Sequence, residues 1–406
     1  MKNNRTFLEK LLNGAEVEWK TLDEISSIYG GLTGKGKADF ENGNALYVPY
    51  KNIFNNIEVD FNNLEAVNVS DDERQYTIKY GDVLFTGSSE TAEEAGMSSA
   101  VTTKTEQKIY LNSFSFGLRF NDDVELLPEF SKFLFRTLSI RKEIVKSASG
   151  VTRFNISKAR FKKIKIPIPP LSVQTEIVRI LDALTALTSE LTSELTLRRK
   201  QYEYYREKLL SHNDSENSSQ QKVDKDKLFS TSNIQWLHLN EIYKFQYGIG
   251  NKIPTIGGEY PVYGSNGIVG SHYEYNSEDA PVIGHIGAYA GIVNWAEGKH
   301  FVTYNGIICN KINDNVNSRY AYYLLLSQNF IDKANKASQP FISYDILNKC
   351  IVPVPPIGEQ QRIVSILDKF ETLTNSITEG LPLAIEQNQK RYEYYRELLL
   401  NFPGRE

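Results

Sequence analysis

The chain has 406 residues, 40% of them hydrophobic and 24% charged, with a net charge of −4. That is apolar material for more than one core, and it excludes a wholly disordered chain. Two cysteines exclude a disulfide framework or a four-cysteine zinc site, the polar first residues exclude a secretory signal, and the longest apolar run, 320–326, is far short of the ~20 residues that cross a bilayer. A cytoplasmic protein with no membrane partner is expected.

In chain order, Glu18-Trp19-Lys20-Thr21-Leu22-Asp23-Glu24-Ile25 opens a first body, and Tyr29 to Lys37 is a glycine-rich, basic loop. Residues 58–74 carry six acids against one base. Tyr80-Gly81-Asp82 reads as a turn into a buried strand, Val83-Leu84-Phe85. The spacing of Phe130, Phe133, Leu134 and Leu138 predicts a helix over 126–145. Residues 125–165 hold eleven Lys/Arg against three Glu. Pro167-Ile168-Pro169-Pro170 then interrupts regular structure, Ser172 suits an N-cap, and a long helix follows. Its apolar seam runs through Ile177, Ile180, Leu184, Leu187, Leu191 and Leu195 to Tyr202, Tyr205 and Leu209. Residues 212–232 are polar, without proline, and read as a flexible linker.

The second body is richer in Gly and Tyr. Gly264-Ser265-Asn266-Gly267 is turn-dense, residues 281–291 suggest short strands, and 320–337 repeats the helical signal.

The chain contains an internal repeat. Residues 164–182 recur as 350–368 at an offset of 186, including Pro353-Val354-Pro355-Pro356 and Gln360 for Gln174. Tyr202-Glu203-Tyr204-Tyr205-Arg206-Glu207 recurs letter for letter as Tyr392-Glu393-Tyr394-Tyr395-Arg396-Glu397, at an offset of 190. The openings Trp19-x2-Leu22 and Trp236-x2-Leu239 agree at an offset of 217, whereas the bodies between look unrelated. Each half is therefore a variable body followed by a repeated helical tail. The second tail carries four extra residues, about one helical turn, which a stutter in the seam would absorb, and Pro382 marks a kink or break there. Two such amphipathic helices are expected to pack on each other.

Catalytic patterns fail one by one. The loop 30–36 lacks the P-loop spacing, no dinucleotide fingerprint or nucleophile elbow is found, and the five histidines show no metal spacing. No Asn-Pro-Pro-Tyr-like run of an adenine methyltransferase is present. A non-catalytic chain without a metal or cofactor of its own is expected, with a cryptic enzyme as one alternative and a scaffold that joins two enzymes without reading DNA as another.

The doubled Pro-x-Pro-Pro-x3-Gln motif, the long helix ending in Tyr-Glu-Tyr-Tyr-Arg, the Glu18-Trp19-Lys20-Thr21-Leu22 opening and Gly264-Ser265-Asn266-Gly267 together resemble the DNA-specificity subunit of type I restriction–modification systems. The resemblance covers nearly the whole chain. It implies a mixed α/β (α+β) fold. Two target recognition domains, 1–171 and 235–357, would alternate with spacer helices 172–211 and 358–401 and a linker 212–234. The helices would form an antiparallel coiled-coil pair. It further implies double-stranded DNA, two modification subunits and two restriction subunits as partners, with S-adenosylmethionine, ATP and Mg²⁺ belonging to those partners. Two different heads on one strut would read an asymmetric bipartite site whose gap the helices set.

For DNA contact the chosen residues are Thr33, Lys35, Lys37, Tyr50, Lys51 and Asn52, then Ser149, Thr152, Arg153 and Asn155, with Lys162, Lys163 and Lys165 for the phosphate backbone. Arg153 suits guanine and Asn155 adenine. In the second body they are Asn251, Lys252, Ser265, Asn266, Gln339 and Ser343, with Gln339 near the position equivalent to Arg153. For partner docking they are Tyr202, Tyr204, Tyr205, Arg206, Tyr392, Tyr394, Tyr395 and Arg396, because three tyrosines in four helical positions cannot all face one core.

Overall fold

A computed structural model describes residues 7–41, 43–211, 233–250, 252–335, 338–376 and 378–404. The expected linker lies almost wholly outside the described residues. The chain divides into two compact units, 1–190 with 385–406, and 191–384. The limits differ from the expected domain limits because each spacer helix gives one half to each unit, where that half packs into the unit's core.

In the first unit, a four-stranded antiparallel sheet runs in the order Ser26–Gly30, Ser115–Phe120, Val83–Thr86, Ser98–Ala100. Beside it, Ala45–Val48 pairs antiparallel with Glu65–Val67 and parallel with Ile109–Leu111. The opening strand Glu18–Thr21 pairs with Lys165–Ile168, just before the proline run. Phe85, Phe130, Phe133, Phe135 and Phe161 are fully buried, each worth about 2–3 kcal/mol by area. The helix expected over 126–145 is two, Pro128–Leu134 and Leu138–Ser147. Thr137 caps the second by accepting from the amide of Ile140.

The second unit has one six-stranded sheet in the order Tyr243–Tyr247, Gly306–Lys311, Ser277–Gly284, Val293–Val302, Tyr260–Gly264, Gly267–His272. Its first four strands reproduce the four-stranded sheet of the first unit. Tyr260–Gly264, parallel to one neighbour and antiparallel to the other, reproduces Ala45–Val48. Gln235–His238 pairs with Ile351–Val354 as the first opening strand does with its partner. Here too the expected helix is two, Ser318–Ser327 and Phe330–Lys333, while Ala337 lies outside the described residues. The bodies that look unrelated in sequence thus share one topology. Burial selects only for apolar character at alternate strand positions, so few identities survive.

The first tail is one helix, Leu171–Leu210, and the second is two, Ile357–Asn375 and Gly380–Leu399. The break falls at 376–379, just before the expected Pro382. Gly380 stands at φ +82°, and a side chain there would meet the Thr372 carbonyl at 2.6 Å. Pro382 sits in the first turn of the following helix, where its missing N–H removes no helical bond. The four extra residues leave the helix instead of adding a turn. Ile377, an apolar residue of the second tail, lies outside the described residues.

Within each unit the two helices run antiparallel. In the second unit, Arg199 Nη2 donates to the Thr374 carbonyl at 3.4 Å, and further along Tyr205 stacks on Phe370 at 5.8 Å. In the first, buried Asn388 donates to the Leu184 carbonyl at 2.7 Å and to Thr188 Oγ1 at 2.8 Å. Each helix therefore packs both on its own body and on the other helix.

The repeated motifs hold body to tail. Gln174 and Gln360 are fully buried. Gln174 accepts from the amide of Leu127 and donates to the carbonyls of Glu125 and Pro169, all at 2.8 Å. Gln360 accepts from Asn317 at 2.8 Å and donates to Asn315 at 3.2 Å and Pro355 at 2.8 Å. Asp182 takes Lys132 at 2.8 Å, and Asp368, 186 residues on, takes Arg319 at 3.0 Å.

Candidate nucleic-acid interface

The same backbone bonds build the same loops at one end of each unit. After the strand Ser26–Gly30, Gly31 donates to Ser115 and Leu32 to Leu111; after Tyr243–Tyr247, Gly248 donates to Gly306 and Ile249 to Val302. Glycine is required there: a Cβ on Gly31 would lie 1.9 Å from the Asn112 carbonyl oxygen, and one on Gly248 2.1 Å from that of Thr303. Asn112 donates to Val48 and Thr303 to Tyr263, so Tyr50 and Lys51 occupy the place of Ser265 and Asn266. Ile156 donates to Gly87 and Ile342 to His285, so Arg153 occupies the place of Gln339. Residues chosen separately in the two halves therefore fall on equivalent loops.

In the first unit, Ser149 pairs with Asn155 and Asn155 with Ser88 in a small three-stranded sheet. Its hairpin carries Thr152 and Arg153, both exposed, with Val151 at the tip. Tyr50, Lys51 and Arg153 line one open cleft of about 350 Å³ with Phe54, Ser88, Ser89, Glu90, Glu94 and Phe114. Tyr50 donates to the Ser88 carbonyl at 2.8 Å and stacks on Phe54 at 6.0 Å. Its hydroxyl titrates above the usual phenol range, mainly through desolvation; Glu94 and Glu90 raise it further and Arg153 opposes them. Thr33, Lys37, Lys163 and Lys165 are exposed, although Thr33 is held through its amide by Gln75 at 3.1 Å. Sequence alone missed Glu90, Glu94 and Phe114, because it is the pairing of 88–89 with 154–155 and the bond from Gly87 to the Phe114 carbonyl that bring those segments beside Arg153.

Three chosen residues have partners within the fold. Lys35 forms an ion pair with Glu73 at 2.5 Å, its side chain only 6% exposed, and this hydrogen bond holds the Glu73 carboxyl down at about 2. Asn52 is buried and ties its loop by donating to the carbonyls of Asp60 and Asn63 and accepting from the amide of Asp60. Lys162 is paired with Asp23 at 2.9 Å.

Part of the basic stretch 125–165 is likewise engaged within the fold. Lys132 is buried against Asp182. Arg136 donates to the carbonyls of Ile53, Phe54, Asn56 and Ser98. Arg141 donates to those of Glu93, Ala95 and Gly96. Burial lowers both guanidiniums to about 10, with the Arg141 charge adding to the effect on Arg136.

In the second unit, Lys252, Asn266 and Gln339 are exposed and Ser265 is half-buried. Ser343 is the N-cap residue of Tyr344–Asn348, and Asn251 lies outside the described residues. His285 is buried, with its Nδ1 3.0 Å from the Tyr304 carbonyl and its ring stacked on Tyr247 at 4.3 Å. Among the described residues, no group of three or more His, Cys, Asp or Glu could hold a metal, and no helix is long and apolar enough to cross a membrane.

The repeated tyrosines divide three ways. Tyr202 is a core residue, and Tyr392 is half-buried with its ring 6.3 Å from that of Phe133. Tyr205 and Tyr395 are half-buried against the cores. Tyr204 and Tyr394 are 56% and 63% exposed. Arg206 and Arg396 lie over the rings of Tyr202 and Tyr392 at 5.3 and 5.5 Å.

The family model described as type I restriction modification DNA specificity domain matches residues 15–198 and 239–387. A putative type I restriction enzyme specificity subunit of Haemophilus influenzae is 38% identical over 99% of this chain and all of its own length. The EcoR124I/EcoR124II specificity subunit of Escherichia coli is 38% identical over 61% of this chain and 65% of its own. A crystal structure of the type I restriction–modification S subunit from M. genitalium shares the fold, with a TM-score of 0.54 at 18% identity, over 97% of this chain and 98% of that one. Doubled topology, doubled tails and these likenesses agree: the chain belongs to the family of type I restriction–modification DNA specificity subunits, whose role is recognition of DNA sequence.

Proposed function

We propose that this chain reads a bipartite, asymmetric site on double-stranded DNA, one half-site per unit, for partner subunits that methylate adenine or cleave. The observation that carries this reading is the pair of units with one topology and unlike loops: equivalent positions hold Tyr50 and Ser265, Lys51 and Asn266, Arg153 and Gln339. One scaffold with two sets of side chains suits two different half-sites with an unread gap between them.

The chemistry belongs to the partners. A target adenine must leave the base stack, and its pocket, with S-adenosylmethionine, is in two modification subunits; ATP and Mg²⁺ serve two restriction subunits. This chain holds the duplex in register. Lys163 and Lys165 contact phosphate; Thr33, Lys37, Tyr50, Lys51, Ser149, Thr152, Arg153 and Asn155 face the first half-site; Lys252, Ser265, Asn266 and Gln339 face the second. Tyr204 and Tyr394 anchor the modification subunits. The complex works in the cytoplasm.

The test is single-molecule methylation sequencing of DNA from cells expressing this chain with its methyltransferase partner, against cells lacking this chain. Methyladenine at one asymmetric bipartite motif, lost in the control, supports the reading. An active partner with no motif dependent on this chain overturns it.

A further inference from the structure

The equivalence of the two loop sets reaches the residues beside Arg153 and Gln339. The register places Ser89 opposite Phe154, and Gly287 donates to the Pro340 carbonyl at 2.9 Å. Phe154 and Pro340 are 186 apart, as are Arg153 and Gln339. Ser89 therefore corresponds to Gly287, and the next residues, Glu90 and Ala288, to each other. All four of Arg153, Glu90, Gln339 and Ala288 are exposed.

The two pairs differ in a chemically consistent way. An Arg forks onto the O6 and N7 of guanine, and a carboxylate accepts from the N4 amine of cytosine. A Gln bonds the N6 and N7 of adenine, and an alanine methyl contacts the methyl of thymine. The charges of the first cleft favour base edges over phosphate. Arg153 and Lys51 share it with Glu90 and Glu94, so the cleft is neutral as a whole. A phosphate-binding cleft would carry an excess of cations.

We propose that Arg153 with Glu90 selects a G·C pair in the first half-site, and that Gln339 with Ala288 selects an A·T pair at the corresponding place in the second. This rests on the reading of the chain as recogniser of two half-sites.

The test exchanges the pairs in the full chain, co-expressed with the methyltransferase subunit. R153Q/E90A should turn one G·C pair of the first half-site into A·T, or open it to both, and leave the second half-site unchanged. Q339R/A288E should alter one A·T pair of the second half-site only. Where a variant methylates too weakly to sequence, competition binding by the assembled complex replaces it. Changing that one G·C pair to A·T should weaken the wild type about 5- to 150-fold, the range set by one bidentate contact. It should leave R153Q/E90A nearly indifferent, or strengthen its binding. Variants that keep the wild-type motif, or that discriminate as the wild type does, overturn the proposal while leaving bipartite recognition standing. A wild type without a motif overturns the reading beneath it instead.

Discussion

Gln174 and Gln360, 186 residues apart, make the same three hydrogen bonds: each accepts from the backbone N–H before a body helix and donates to two carbonyls, one of them in its own proline run. Replacement by methionine keeps the volume and strands one amide and two carbonyls in the core. Gln174→Met is therefore expected to destabilise the first unit by about 2–5 kcal/mol, and Gln360→Met the second by a similar amount. Urea unfolding followed by tryptophan fluorescence would measure it; a loss below ~0.5 kcal/mol would remove the clamp from the account.

The identical Tyr-Glu-Tyr-Tyr-Arg segments should separate by position. Tyr202→Ala empties a core site and is expected to cost about 3–5 kcal/mol. Tyr204→Ala and Tyr394→Ala remove exposed rings and should leave the melting temperature within a degree or two, while weakening capture of the methyltransferase subunit at least tenfold. Unchanged capture by the double variant would place the docking surface elsewhere.

Basic residues should divide in the same manner. Lys163→Ala and Lys165→Ala are expected to lower DNA affinity of the assembled complex uniformly across sequences, each reducing the slope of log K against log salt by about 1. Arg136→Ala should instead destabilise the first unit by about 3 kcal/mol, since its donors satisfy buried carbonyls. A change of recognised motif in either lysine variant would contradict a phosphate role.

The Lys35–Glu73 pair has a defined pH response. The Glu73 carboxyl is lowered from 4.5 to about 2, first by its hydrogen bond with Lys35. A depressed folded-state value means that its contribution is complete above pH 4.5 and is lost as pH falls towards 2. Amide exchange around 33–36 and 70–75 is expected to quicken over that window, and Glu73→Gln should abolish the dependence. An unchanged profile in the variant would assign the transition to another group.

Much of this was legible in the residues. The doubled tails and their packing on each other follow from identities at fixed offsets and from the apolar seam, whereas their antiparallel direction was implied only by the family resemblance. What the sequence concealed was that the most repeated polar side chains, Gln174 and Asp182 with their copies, join helix to body; a buried amide looks no different in a sequence from an exposed one. Lys35 and Asn52, chosen as nucleic-acid contacts, and Arg136 and Arg141, counted only in the basic stretch, gave no sign of their partners for the same reason, since those partners at 73, 60, 53 and 96 are distant in the chain. The two bodies hid their kinship because backbone bonds, which side-chain identity hardly records, define it.

The break at 376–379 gives the second strut an expansion joint. Its helices of 19 and 20 residues nearly equal the single helix of 40, so the four residues that separate the 186 and 190 offsets belong to neither helix. Residues gained or lost at that break leave the turn-by-turn phase within each helix unchanged. In such a chain, length changes in the tail become a matter of loop tolerance, and the faces that meet the bodies keep their phase.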